Sequence, residues 1–268
     1  MKIFIDAGHG GESIGASYKG RLEQDDCLRL ALAVRDKLLT QKGVEVMLSR
    51  EDSTDPDLLK RCERANSWGA DYFISLHRNA FTPEGASGVE AWVFSGVETD
   101  GVTYNKAKAV VEAVCAVTGL RNRGVKKGAP EYRDFAVNSY SEMHSCLLEA
   151  GFIDNTKDNE VFDKKFSEIV RAIAKSLVEA NGGKWAEPSV KEEEKASQKK
   201  EDAVSPSLIY CVQVGAYKKK SNAEAMAEKI RKAGFDAVIT VKGDMDGDGR
   251  LTAEDSRLTL RASTGLEG

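Results

Sequence analysis

The sequence predicts an α/β fold, a mostly parallel twisted sheet flanked by helices on both faces, with a small C-terminal α+β region behind it. Three observations predict this. Short runs rich in apolar and β-branched residues alternate with stretches of helical period from Lys2 to Ala180. The 268 residues suffice for one good core plus smaller modules. After Gly182-Gly183 the composition changes to a dense mixture of Lys, Glu and Ser without apolar period.

Each element has its own signal. Residues 2–6 form a short buried strand. Residues 24–41 form a helix, since Cys27, Leu30, Ala31, Val34 and Leu38 fall at helical spacing and Gly43 stands just beyond as a stop. Residues 44–48 form a second strand, 58–68 a helix, and 71–76 a strand with aromatic and β-branched residues. A strand over 88–94, a helix over 105–117 and a short apolar strand over 146–149 follow. An amphipathic helix over 161–180 closes the domain, with Phe162, Phe166, Ile169, Val170, Ile173 and Leu177 on one side.

The resulting organisation is a catalytic-sized domain at 1–183, a charged linker at 184–207 and a strand–helix–strand segment at 208–242. A separate segment covers 243–268. The linker also admits a helical stretch near 191–200, where Glu and Lys alternate at supporting distances.

Composition excludes several classes. The net charge of −4 gives no support to general nucleic-acid binding. No apolar run approaches the length of a membrane span. No charged leader with an apolar stretch precedes Ile3, so the expectation is synthesis in the cytoplasm and action after release, or an extracellular protein whose leader was removed. The five cysteines are odd in number and lack a C-x-x-C pair, which fits reduced thiols and argues against a cysteine zinc site. Gly8-His9-Gly10-Gly11-Glu12-Ser13 fails as a dinucleotide fingerprint because Ser13 stands in the third glycine position. Neither G-x-S-x-G nor H-E-x-x-H occurs.

The chemistry centres on the three histidines. His9 and His77 each follow a predicted strand, and in a parallel sheet those ends share one edge, where ligands bind. Two imidazoles there can share a metal. Glu23, just before the first helix, is the natural third ligand, giving a His₂Glu set. A metal so held lowers the pKa of bound water to about 7. Glu149 ends an apolar strand and is assigned as base toward that water and acid toward a leaving amine. Bland readings stand beside these. Glu23 fits a helix N-terminal carboxylate favoured by the dipole, and Glu149 half of a buried ion pair. His144 is not at a strand end and reads as structural.

At these residues the sequence strongly resembles the zinc amidases that cut the N-acetylmuramoyl–L-alanine bond of peptidoglycan. The resemblance covers roughly residues 2–180 and runs in ordered blocks. These are Ile-Asp-Ala-Gly-His-Gly-Gly at 5–11, Glu23 before a Leu/Ala-rich helix, Leu-Ser-Arg at 48–50 and Leu59-x-Arg61 before Ala65-Asn66. Ser-Leu-His-Arg-Asn-Ala at 75–80, Gly88-Val89-Glu90, Arg123-Gly124-Val125 and Leu-Glu-Ala-Gly-Phe-Ile-Asp-Asn at 148–155 complete the set. It implies that His9, Glu23 and His77 bind Zn2+, that Glu149 is the catalytic carboxylate, and, more weakly, that Asn79 helps place substrate. Two positions depart from the family pattern: His144 stands where proline is common, and Arg78 where a small residue is usual. Arg78 is therefore expected to alter substrate preference.

The tail resembles two further families. Tyr210–Tyr217, Asn222-Ala223-Glu224 and Gly234-Phe235 resemble the first half of a SPOR domain, a family implied to bind glycan strands stripped of their peptides; the second half is expected to be missing. A small βαβ unit with a packing role only is the alternative. Asp244, Asp246, Asp248, Arg250 and Asp255 stand at positions one, three, five, seven and twelve of a calcium-loop pattern, with Gly249 at the turn and Thr252 at nine. A helix over 253–262 is expected to follow. This resembles a single dockerin repeat and implies Ca2+; a polar turn without metal is the alternative.

The function expected is therefore hydrolysis of the muramoyl–L-alanine amide in peptidoglycan, with a phage endolysin as an attractive setting. A zinc peptidase acting within the stem peptide, and a non-catalytic wall-binding protein, are the other classes carried forward.

Overall fold

The computed structural model describes residues 1–129, 134–187, 228, 236–241 and 258–263. The chain divides into two units, Met1–Glu193 and Glu194–Gly268. In the first unit the order is β1 (Lys2–Ala7), β2 (Ser17–Tyr18), β3 (Arg21–Leu22), α1 (Glu23–Leu38), β4 (Glu45–Leu48), α2 (Leu58–Trp68), β5 (Tyr72–Asn79) and β6 (Val89–Val93). Then come α3 (Val102–Thr118), β7 (Asn122–Lys127), α4 (Ala136–Ser139), β8 (His144–Phe152), α5 (Thr156–Lys164) and α6 (Phe166–Ala180).

Six strands form one sheet in the order β4-β1-β5-β8-β6-β7. Every neighbouring pair is parallel except β6 with β8. Helices cover both faces. Leu30, Ala31, Val34 and Leu38 of α1 pack with Val110, Val111 and Val114 of α3 and Ile169, Ile173 and Leu177 of α6 in the larger core. The smaller core lies on the other face, where Cys62 and Ala65 of α2 meet Phe4, Phe73 and Leu147. Burial on both faces explains why β1 reads as a nearly unbroken apolar run. The start of α2 is set by Asp57, whose carboxylate accepts from the backbone N–H of Leu59 at 2.9 Å and of Lys60 at 3.4 Å.

Three differences from the sequence expectation have physical causes. β7 has a single apolar residue, Val125, and carries no strand signal; it lies at the sheet edge, where charged residues are favoured. The closing helix is two helices, broken at Lys165, and α5 starts earlier because the Asn155 side chain caps it at Asp158 N–H. β8 is longer than its apolar stretch, so His144 begins it at the end remote from Glu149.

In the second unit, β9 (Asp236–Val241) pairs antiparallel with β10 (Leu258–Ser263), Leu258 opposite Val241 and Ser263 opposite Asp236. β10 stands where a helix over 253–262 was expected. Leu258-Thr-Leu-Arg-Ala-Ser alternates apolar and polar residues, the period of a strand. Glu228 is helical, inside the helix expected over 222–233. The strand expected over 208–217, most of the linker, and the calcium-loop positions Asp244, Asp246, Asp248, Arg250 and Asp255 lie outside the described residues. Among the described residues, no helix is long and apolar enough to cross a membrane.

Candidate metal centre

β1, β5 and β8 run parallel, so their carboxyl ends meet at one sheet edge. His9 lies two residues beyond β1, in a turn where it adopts φ 60°, the left-handed region that non-glycine residues seldom enter. His77 lies within β5 near its end, and Glu23 is the first residue of α1. Their candidate ligand atoms all lie within 4.8 Å of one another.

Glu23 is the hub. Its Oε1 is 2.9 Å from His77 Nδ1 and accepts the Arg78 backbone N–H at 3.1 Å. Its Oε2 is 3.1 Å from His9 Nε2 and accepts the Ala16 N–H at 2.8 Å. The carboxylate is only 6% exposed. Burial opposes its ionisation, but hydrogen bonds and charge interactions with His77 and His9 prevail and hold it well below the ordinary carboxylate range. His9 Nδ1 faces Ser13 Oγ at 3.2 Å, which leaves Nε2 turned toward the cluster.

Two glycines make room for this packing. A Cβ on Gly8 would lie 2.4 Å from the His77 ring. Gly15 has φ 70°, and a Cβ there would lie 2.6 Å from Glu23 Oε2 and 2.7 Å from His9 Cδ2. The donor set, two imidazoles and a carboxylate, is one that zinc takes; His77 Nδ1 lies 2.9 Å from one Glu23 oxygen and His9 Nε2 3.1 Å from the other.

Glu149 is the direct neighbour of His77 across the β5–β8 pairing, so both side chains leave the same face of the sheet. Together with His9, Glu23, His77 and Asn79 it lines a cleft of about 520 Å³, to which Asp55, Leu58 and Phe135 also contribute.

The remaining predicted positions separate. Asn79 lines the cleft, with its amide N–H donating to Glu90 Oε1 at 2.9 Å and its oxygen accepting from Ala80 N–H at 2.8 Å. The Arg78 guanidinium packs against α1 and α5. It is 1% exposed, donates to Asp26 and Asn159 at 2.6 Å each, and stacks over Phe162 at 4.1 Å. Alternation along β5 sends residues 77 and 78 to opposite faces. His144 meets Thr103 Oγ1 at 2.7 Å, away from the cluster, in keeping with its structural reading.

Sequence reasoning gave no role to Glu90, Arg50 and Arg61. Glu90 is opposite Glu149 on β6, is buried, and is held by Arg123 Nε at 2.7 Å and Trp92 Nε1 at 3.1 Å. A charged residue inside an apolar strand was the signal for it. Arg50 and Arg61 stood in the ordered blocks without an assigned role.

Comparison with known proteins decides the family. The family model for N-acetylmuramoyl-L-alanine amidase matches residues 3–179. The chain belongs to the N-acetylmuramoyl-L-alanine amidase family. A second model, for the SPOR domain, matches residues 209–251 and so extends across most of the calcium-loop pattern. The chain is 36% identical over 240 residues to the N-acetylmuramoyl-L-alanine amidase CwlM of Bacillus licheniformis, covering 89% of this chain and 84% of that protein. It is 34% identical over 245 residues to the sporulation-specific amidase of Bacillus subtilis, covering 90% and 85%. The crystal structure of an N-acetylmuramoyl-L-alanine amidase from Clostridium difficile superposes with a TM-score of 0.60 at 30% identity, over 66% of this chain and 95% of that one. The amidase match thus lies within the first unit, whose sheet edge holds the His/Glu cluster.

Proposed function

We propose that the amidase domain hydrolyses the amide between N-acetylmuramic acid and L-alanine in peptidoglycan, with Zn2+ held by His9, Glu23 and His77 and Glu149 carrying the proton. The observation that supports this best is the convergence of the three ligand atoms within 4.8 Å on the edge where Glu149 stands beside His77. A zinc ion there would supply Lewis acidity, polarising the amide carbonyl and acidifying water.

The chain's own residues do the rest. Glu23, ionised between two imidazoles, supplies the negative charge that a divalent cation needs. Glu149 accepts a proton from the water whose oxygen bonds to the lactyl carbonyl carbon. It then delivers that proton to the L-alanine nitrogen as the C–N bond breaks, leaving a carboxylic acid and an amine, which go on to carboxylate and ammonium in water. Asn79, oriented by Glu90, presents its second amide N–H to the cleft as a donor to substrate.

For the tail, the SPOR match supports binding to peptidoglycan, and we read denuded glycan strands as its target. Calcium at Asp244–Asp255 rests on the ligand pattern alone, and β10 occupies part of the expected exit helix. A calorimetric calcium titration of the full chain without heat of binding retires it.

The test of function is digestion of purified peptidoglycan with mass analysis of the products. New N-terminal L-alanine on released stem peptides, with intact glycan chains, is the expected result. Cleavage within the peptide would replace this reading by a peptidase. The absence of product from zinc-loaded protein would replace it by a wall-binding role.

A further inference from the structure

We propose that Arg50 and Arg61 form a clamp that sets the spacing of His9 and Glu23, and through it the affinity of the metal centre. The inference rests on the zinc reading above.

Three successive carbonyls run from the end of β1 into the ligand turn, those of Ala7, Gly8 and His9. Two guanidiniums hold all three. Ala7 O accepts from Arg50 Nε at 3.0 Å and Arg61 Nη1 at 2.9 Å. Gly8 O accepts from Arg50 Nη2 at 2.8 Å, and His9 O from Arg61 Nη2 at 2.9 Å. Arg50 Nη2 also donates to Gln24 O at 2.8 Å. One nitrogen therefore ties the residue before His9 to the residue after Glu23, two ligands borne on separate elements.

The clamp is itself anchored. Arg61 uses all five of its N–H groups, the others going to Asp6 Oδ1 at 2.8 Å, Asp55 Oδ1 at 2.7 Å and Pro56 O at 2.8 Å. Arg50 adds Asp52 O at 2.8 Å. Both side chains are nearly inaccessible, at 1% and 4%. His9 needs such support because its φ of 60° is costly for a residue with a Cβ. Only the planar fork of an arginine reaches two acceptors in fixed directions at once; a lysine ammonium is a point donor. Both are positioning residues, acting on the metal through the backbone of its ligands.

Arg64 supplies the control. It donates to Ser49 O at 2.6 Å and Leu48 O at 3.0 Å, carbonyls at the end of β4 that do not belong to the ligand turn. The experiment measures zinc affinity by chelator competition on the full chain for the wild type, Arg50→Lys, Arg61→Lys and Arg64→Lys. Circular dichroism and thermal melts in EDTA follow the metal-free fold. Loss of a group that orients a ligand typically weakens metal binding about 10–100-fold. That loss is expected for Arg50→Lys and Arg61→Lys, with Arg64→Lys staying within about threefold of wild type although it too loses a paired carbonyl.

Wild-type affinity in folded Arg50→Lys and Arg61→Lys overturns the proposal, and so does an equal loss in Arg64→Lys. If Arg61→Lys does not fold, because Asp6 has lost its partner, Arg50→Lys decides alone. If neither folds, the proposal also falls, since the guanidiniums then hold the domain and not the centre. A wild-type protein that binds no zinc overturns the zinc reading instead.

Discussion

Gly8→Ala is the smallest perturbation that tests the packing of the metal centre. The added methyl carbon would sit 2.4 Å from both Cε1 and Nε2 of His77 and 2.7 Å from Nδ1. Ordinary van der Waals contact begins near 3.4 Å, so the ring has to retreat by roughly 1 Å or the turn has to shift by as much. The φ of Gly8 lies outside the left-handed region, so the substitution adds volume without backbone strain. Metal sites hold ligand distances within about 0.2 Å, and a displacement of about 1 Å in a reacting constellation costs on the order of 100-fold in rate. Overpacking of this kind also costs about 1–3 kcal/mol of stability. The assays are zinc affinity by chelator competition, turnover of purified peptidoglycan at saturating zinc, and the thermal midpoint. We expect weaker zinc binding, turnover reduced about 100-fold and a lower midpoint. Wild-type zinc affinity and turnover in the folded variant would refute the claim that the His77 ring rests on Gly8.

Three further outcomes follow from named contacts. Glu149→Gln should retain zinc while turnover falls about 10²–10⁴-fold, the usual contribution of a positioned acid–base group; a loss smaller than tenfold would remove Glu149 from that role. Asp57→Ala should cost α2 its N-terminal cap, about 1 kcal/mol, seen as a melting point lower by about 2–4 °C; an unchanged melting point would show the cap to be replaceable. For Asp6, burial alone would raise the carboxyl, but Arg61, Ser75 and Ser49 prevail and hold it below the ordinary aspartate value. Its ionised form thus contributes stability that is fully present above that value, near pH 4, and is lost as pH falls through the lower folded value. Asp6→Asn should therefore be about 3–5 kcal/mol less stable at neutral pH, with the difference shrinking below pH 4; urea unfolding that shows a constant difference down to pH 2 would contradict this.

Elements with a continuous apolar signal were legible in the sequence, and those defined by edges or polar contacts were not. β1, α1 and β5 appear close to their expected ranges because burial wrote their period into the chain. β7 carried no such period, since an edge strand is specified by pairing with β6 more than by packing. β10 was misread because the acidic loop before it suggested an exiting helix, while the alternation in Leu258–Ser263 was overlooked. At the site, His9 and His77 could be named because two of the chain's three histidines follow predicted strands, and Glu23 because it offers a carboxylate at the same edge. Their mutual distances depend on what stands behind them, and a buried arginine bonded to carbonyls has no sequence pattern of its own. Arg78 shows the same limit from the other side: it stands next to a ligand in sequence, yet one step along a strand reverses the face and its guanidinium bonds to Asp26 and Asn159.

Several charged residues are buried or half-buried around this one edge. His77 faces the cleft, and Arg78, pointing the opposite way, joins β5 to α1 through Asp26 and to α5 through Asn159. Arg61 joins β1 to the loop before α2 through Asp6 and Asp55, and Arg123 joins β7 to β6 through Glu90. A buried ion pair adds little net stability over an apolar pair of equal volume, because desolvation cancels most of the attraction. A stability argument alone would therefore replace these pairs with leucines. What an apolar pair cannot do is fix direction, and each of these pairs bonds to a segment that carries His9, Glu23, His77 or Asn79. Their value lies in orientation. It follows that apolar substitution of the Arg78–Asp26 pair, for example Arg78→Met with Asp26→Leu, should leave the unfolding free energy of the metal-free protein within about 1–2 kcal/mol of wild type, since Arg21, which also donates to Asp26, keeps Asp163 as a partner. The same double variant should loosen the Arg78 N–H bond to Glu23 and weaken zinc binding about tenfold or more. A variant that keeps both stability and zinc affinity would show that direction at this edge is set by the sheet alone.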